Sequence, residues 1–77
     1  MEEIIALKLS KRRKNAQKLQ KVLTGFGSLI KTRIGFNRGG ETGVILLDVE
    51  GNDSAIKEFK KRISKERGVE ITEISFD

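Results

Sequence analysis

The sequence predicts an α+β fold: a four-stranded antiparallel sheet with two helices on one face. Three observations predict it. First, Val44 to Leu47, with Asp48 and Val49 following and Gly43 and Gly51 at the ends, form an apolar run too short for a typical helix. Such a run reads as a central strand that is apolar on both faces. Second, apolar residues recur at spacings of three and four in two stretches, around Leu19 and around Phe59, as on a helix that buries one side. Third, the two halves of the chain match in length and in strand, helix, strand order, a weak internal repeat typical of a split βαβ arrangement.

The elements follow in order. Residues 3 to 9 form the first strand, with Ile5, Leu7 and Leu9 on one face and Ile4, Ala6 and Lys8 on the other. Ser10 suits the N-cap of the first helix, whose inward side is Ala16, Leu19, Val22, Leu23 and Phe26, and Gly25 and Gly27 stop it. Leu29 to Asn37 form an edge strand, with Ile30, Thr32, Ile34 and Phe36 on one parity and Leu29, Lys31, Arg33 and Gly35 on the other. Gly35 suggests a bulge or a close approach by another backbone or a ligand. Arg38-Gly39-Gly40-Glu41 turns the chain into the 43 to 49 strand, completing a hairpin.

Asn52, Asp53 and Ser54 all suit the cap of the second helix, and Ile56, Phe59 and Ile63 mark its inward face. Glu58 and Arg62 fall four apart and can pair, and Gly68 before Val69 reads as the helix C-prime signature. Residues 69 to 76 form the last strand. Val69 and Ile71 differ in parity from Ile74 and Phe76, which points to a bulge near Thr72 and Glu73. Right-handed crossovers place the first and third strands in the middle, giving strand order 4-1-3-2 in a ferredoxin-like βαββαβ sandwich. Residues 1 to 77 make one domain, with no linker or low-complexity segment to divide them.

Composition narrows the chemistry. The chain has no cysteine and no histidine, so neither a disulfide framework nor the usual metal ligand and near-neutral general base is in its repertoire. Asp48 and Glu50 share a strand parity, but as solvated or paired carboxylates they make no catalytic pair, and no catalytic residue, metal site or cofactor is expected. The paired glycines at 39 and 40 join two strands instead of opening a helix, so they are no phosphate-binding loop. No apolar run approaches a membrane span and the start is not that of a signal peptide, so a cytoplasmic protein without membrane association is expected.

The net charge of +5 is unevenly spread. Lys8 to Arg38 holds ten basic residues and no acidic one, whereas Glu41 to Asp53 holds four acidic and no basic ones. Lys11, Arg12, Arg13 and Lys14 open the first helix, where the helix dipole already disfavours cations by a few tenths of a kcal/mol. Either they serve solubility, or Ser10 to Lys14 form a turn that binds an anion: a phosphate, a nucleic-acid backbone or a carboxylate. Base stacking is not expected, because Phe26, Phe36, Phe59 and Phe76 all fall at positions read as core and the two central strands hold no aromatic. In this arrangement Ile4, Ala6, Val44 and Leu46 lie on the open sheet face, ringed by Lys8, Lys31, Arg33 and Asp48. They form the expected contact of a homo-oligomer, a dimer or tetramer.

The whole chain, and most of all Lys31-Thr-Arg-Ile-Gly-Phe followed by Gly43-Val-Ile-Leu-Leu-Asp-Val-Glu-Gly51, resembles the small stand-alone ACT-like family of iron-only hydrogenase system regulators. That family is similar in fold to the C-terminal domain of the nickel-responsive repressor. Its arginine, hydrophobic, glycine motif is matched by Arg33-Ile34-Gly35 on the edge strand before the hairpin. The resemblance implies an oligomeric regulatory or ligand-sensing domain without catalysis. The chain departs from the repressor in lacking histidine and cysteine, so the repressor's nickel site does not carry over. Amino-acid binding in metabolic ACT domains uses the turn into the first helix, and here the position of Ser10 to Arg13 matches. Two functions are therefore expected in order: a non-enzymatic, homo-oligomeric ACT-like sensor of a small anionic ligand or a protein partner, using Ser10 to Lys14 and Arg33; and, as the alternative, a nucleic-acid-binding protein using loop 11 to 14 and the helix lysines. A purely structural interaction module is the third reading.

Overall fold

A computed structural model describes residues 2–10 and 12–76, with 12–14 described as backbone only. The order is β1 (Glu2–Leu9), α1 (Arg12–Gly25), β2 (Ile30–Asn37), β3 (Gly43–Glu50), α2 (Asp53–Ser64) and β4 (Val69–Phe76). The sheet runs β2-β3-β1-β4 and every pairing is antiparallel. This is the 4-1-3-2 ferredoxin-like sandwich read from the sequence, seen from the other edge. No helix among the described residues is long and apolar enough to cross a membrane.

The core lies between the sheet and the two helices. Ile5, Leu7 and Leu9 of β1 and Leu47 and Val49 of β3 meet Leu19, Val22 and Leu23 of α1, with Phe59 and Ile63 of α2. The Phe26 and Phe59 rings pack with centroids 5.0 Å apart, tilted by 50°. The α2 start is capped as its sequence suggests: Asn52 Oδ1 accepts the Ala55 amide at 2.8 Å.

Several local expectations are corrected. The bulge lies in β2, not in β4 or at Gly35. The β1–β4 register is continuous from Glu2–Phe76 to Leu9–Val69, whereas β2 slips between Ile30 and Thr32. Ile30 pairs with Val49 on the helix side. After the extra residue, Lys31, the residues Thr32, Ile34 and Phe36 fall opposite Asp48, Leu46 and Val44 on the open side. Val69 and Ile71 simply face the helices, while Ile74 and Phe76 face away.

Consequently Phe36 and Phe76 are not core residues, in contrast to Phe26 and Phe59. Arg33, for the same reason, points to the helix side and is no part of the ring around the open face. Helix α2 ends at Ser64 with Lys65 as its cap, so Gly68 (φ +74°) belongs to the following turn and not to the helix terminus. Arg62 lies 3.7 Å from Glu66, not against Glu58, because both belong to the turn that closes the helix. Ser10 also ties to a second turn: its amide and hydroxyl both donate to the Gly68 carbonyl, at 2.9 and 3.3 Å. The turn into α1 is drawn toward the α2–β4 turn, and Asn15 Nδ2 holds the Ser10 carbonyl at 2.7 Å.

Candidate functional site

A cavity opens beside α1 where β2 continues past its bulge. After Lys31, the helix-side positions of β2 are Arg33, Gly35 and Asn37, and those of the neighbouring end of β3 are Gly43 and Ile45. Two glycines thus replace side chains where α1 crosses the sheet edge. What remains is a cavity of about 440 Å³ between α1 and the β2–β3 hairpin. Its wall is apolar at Leu9, Ala16, Leu19 and Ile45. A Cβ built on Gly35 would meet nothing within 4 Å, so this glycine is a vacancy in the wall and not a site of close backbone approach.

The polar part of the cavity is Arg33. Its Nη2 donates to Gln20 Oε1 at 2.6 Å, a bond that fixes the guanidinium against α1. A guanidinium carries five N–H donors in a planar fork suited to a carboxylate or phosphate. An apolar cleft in the 300 to 1,000 Å³ range with few polar groups has the character of a small-molecule site. Gln20 was not singled out in the sequence; its place opposite Arg33 follows only from how α1 crosses β2.

The other expected anion-binding residues lie elsewhere. Ser10 follows Leu9, which is opposite Gly43 at the end of the sheet, whereas Arg33 is opposite Leu47 in its middle. The structure does not bring these two together, and Ser10 already spends both donors on Gly68. The side chains of Lys11, Arg12, Arg13 and Lys14 lie outside the described residues. Near that turn, Lys18, Lys65 and Arg67 surround a smaller cavity of about 180 Å³ together with Asn15 and Glu66. It is a cationic cleft at the junction of the two helices.

The open face is a third feature. Reading across β2, β3, β1 and β4, the register gives rows Phe36, Val44, Lys8, Glu70; then Ile34, Leu46, Ala6, Thr72; then Thr32, Asp48, Ile4, Ile74; and last Glu50, Glu2, Phe76 on three strands. The expected quartet Ile4, Ala6, Val44 and Leu46 does occupy the centre. It is only part of a longer apolar stripe running diagonally from Phe36 to Phe76. Ile34, Phe36, Ile74 and Phe76 are between 43% and 54% exposed, a large apolar surface for so small a domain.

Comparisons with known proteins bear on the fold. The chain is similar in structure to the uncharacterized protein TM1266 from Thermotoga maritima, with a TM-score of 0.89 at 18% identity over 99% of this chain and 96% of that one. It is also similar to a formyltetrahydrofolate deformylase from Pseudomonas putida KT2440, with a TM-score of 0.63 at 10% identity over 99% of this chain. That match spans 29% of the deformylase. Searches against protein-family profiles and curated proteins give no match. At these identities the likenesses are of fold alone, that of the ferredoxin-like sandwich.

Proposed function

We propose that the chain is a non-enzymatic, homo-oligomeric ACT-like regulatory domain that senses a small anionic ligand. The observation that carries the reading is the cavity left by Gly35 beneath α1, with Arg33 held at its edge by Gln20. Its apolar wall and single planar cation suit a small molecule with an apolar body and one carboxylate. The apolar stripe of the open face supports the oligomer.

Titration calorimetry with a panel of aliphatic α-amino acids and short branched carboxylates tests it. Gly35 has no positive φ and open space above it, so Gly35→Val fills the cavity without backbone strain. The expected result is that Gly35→Val abolishes binding and Arg33→Gln weakens it by about tenfold or more, the loss of a charge-assisted pair. A panel without a binder, or a ligand that binds Gly35→Val as well as the parent, overturns the cavity as the sensing site.

The second reading, nucleic-acid binding through loop 11 to 14 and the helix lysines, draws support from the convergence of Lys18, Lys65 and Arg67 on one cleft. Its signature is anisotropy-detected binding of random DNA or RNA that weakens steeply with salt. The open face does not serve this reading: Lys8, and Arg38 over the Phe36 ring, stand against Glu2, Asp48, Glu50 and Glu70, a balance that repels phosphate.

A further inference from the structure

The charges bordering the apolar stripe specify how two copies fit together. The stripe divides the open face into two off-diagonal corners. One holds Lys8 and its cross-strand neighbour Glu70 and is balanced in charge; the other holds Asp48, Glu50 and Glu2 and is acidic. Two sheets packed face to face about a two-fold axis are related by reflecting the face across the line of that axis. Only two orientations lay the apolar stripe on itself along its whole length. With the axis across the stripe, Phe36 covers the second copy's Phe76, and the acidic corner covers its own image, three carboxylates against three. With the axis along the stripe, Phe36 and Phe76 each meet their own images, and the acidic corner covers the corner that holds Lys8.

Resting on the homo-oligomeric reading, we propose that the open face docks on the same face of a second copy with the two-fold axis along the Phe36 to Phe76 diagonal, Lys8 of each copy facing the Asp48 corner of the other. Strands about 4.8 Å apart and same-face residues about 6.7 Å apart put this diagonal at roughly 36° to the strands. The two sheets therefore cross at roughly 70°, in the near-orthogonal packing class. Within one copy Lys8 and Asp48 are one strand and two rows apart, about 14 Å by the same spacings and beyond the Debye length at physiological salt. An electrostatic coupling between their corners thus reports on the contact between copies.

Sedimentation equilibrium of the full chain tests orientation and assembly separately. Glu70→Lys gives its corner two cations. With the axis along the stripe it tightens the dimer, by about fivefold at low salt and less as salt screens it. With the axis across the stripe the same substitution places two cations on two cations and loosens the dimer. Lys8→Glu loosens it in either case, and Leu46→Asp at the centre gives monomers that retain the parent circular dichroism. A Glu70→Lys variant that loosens the dimer or leaves it unchanged overturns the orientation while the oligomer stands. A parent chain that is monomeric throughout overturns the oligomer itself.

Discussion

Oε1 of Glu3 lies 2.7 Å from Nζ of Lys60, and the glutamate side chain is 1% exposed. The contact is close without the angular alignment of a hydrogen bond, so it acts mainly as a charge pair. Lys60 also reaches Glu73 at 3.0 Å, so a single ammonium on α2 ties together the helix-side faces of β1 and β4. Removing the cation leaves Glu3 buried without compensation. Lys60→Met is expected to cost about 3 kcal/mol, the low end for breaking a buried pair because Lys60 is partly exposed. Replacing both partners, as in Glu3→Leu with Lys60→Leu, is expected to be neutral or stabilising, since neither charge is then desolvated. Urea denaturation of the two variants and the parent decides.

The same pair sets a pH dependence. Burial pushes the Lys60 pKa down, but the close contacts with the charged Glu3 and Glu73 outweigh it and hold the pKa above the ordinary lysine value of 10.5. The folded state therefore binds this proton more tightly than the unfolded state. Its stabilising contribution is fully present below the unfolded value and is lost as pH rises through the higher folded value. The parent is expected to lose stability above about pH 10.5 more steeply than Lys60→Met. Parallel alkaline slopes of the urea midpoint would remove Lys60 from the account.

Glu3 shows how far the sequence can be read. Its parity with Ile5, Leu7 and Leu9 already put it on the helix side, and Lys60 sits next to Phe59 on the inward stripe of α2. The signal was in the pattern, but a charge at a strand end reads as solvated by default. The element order and sheet topology were legible because periodicity and crossover handedness are local or general rules. The side to which Phe36 turns was not, because one inserted residue at Lys31 reverses everything after it and leaves no mark in the alternation. The cavity was half legible: Arg33 and Gly35 stood out, while Gln20 and the α1 wall depend on tertiary packing.

Gly68 and Gly39 make a paired test of the contact between the Ser10 and Gly68 turns. Both have positive φ, +74° and +86°, so alanine is strained at either by about 1 to 2 kcal/mol. At Gly39 a Cβ would enter open space. At Gly68 it would run into the Asn15 amide and lie 3.2 Å from the Ser10 carbonyl, within the bonds that join the two turns. Gly68→Ala is therefore expected to lower the melting temperature clearly more than Gly39→Ala. Equal shifts would mean that the β1–α1 turn relaxes at no cost.

Phe59 and Phe36 separate the fold from the surface. Phe59 is fully buried against Phe26, and Phe59→Ala is expected to cost about 3 to 5 kcal/mol. A domain of this length has roughly 4 to 11 kcal/mol in all, so much of that variant is unfolded on mild heating. Phe36 is 43% exposed on the open face, with the Arg38 guanidinium 5.8 Å from its ring centre. Phe36→Ala is expected to cost the monomer about 1 kcal/mol or less, since its ring is only partly buried and its cation contact is exposed. Measured by urea denaturation at low protein concentration, the two losses should differ at least twofold. Equal losses would place Phe36 in the core after all, and with it the β2 parity that the bulge at Lys31 reverses.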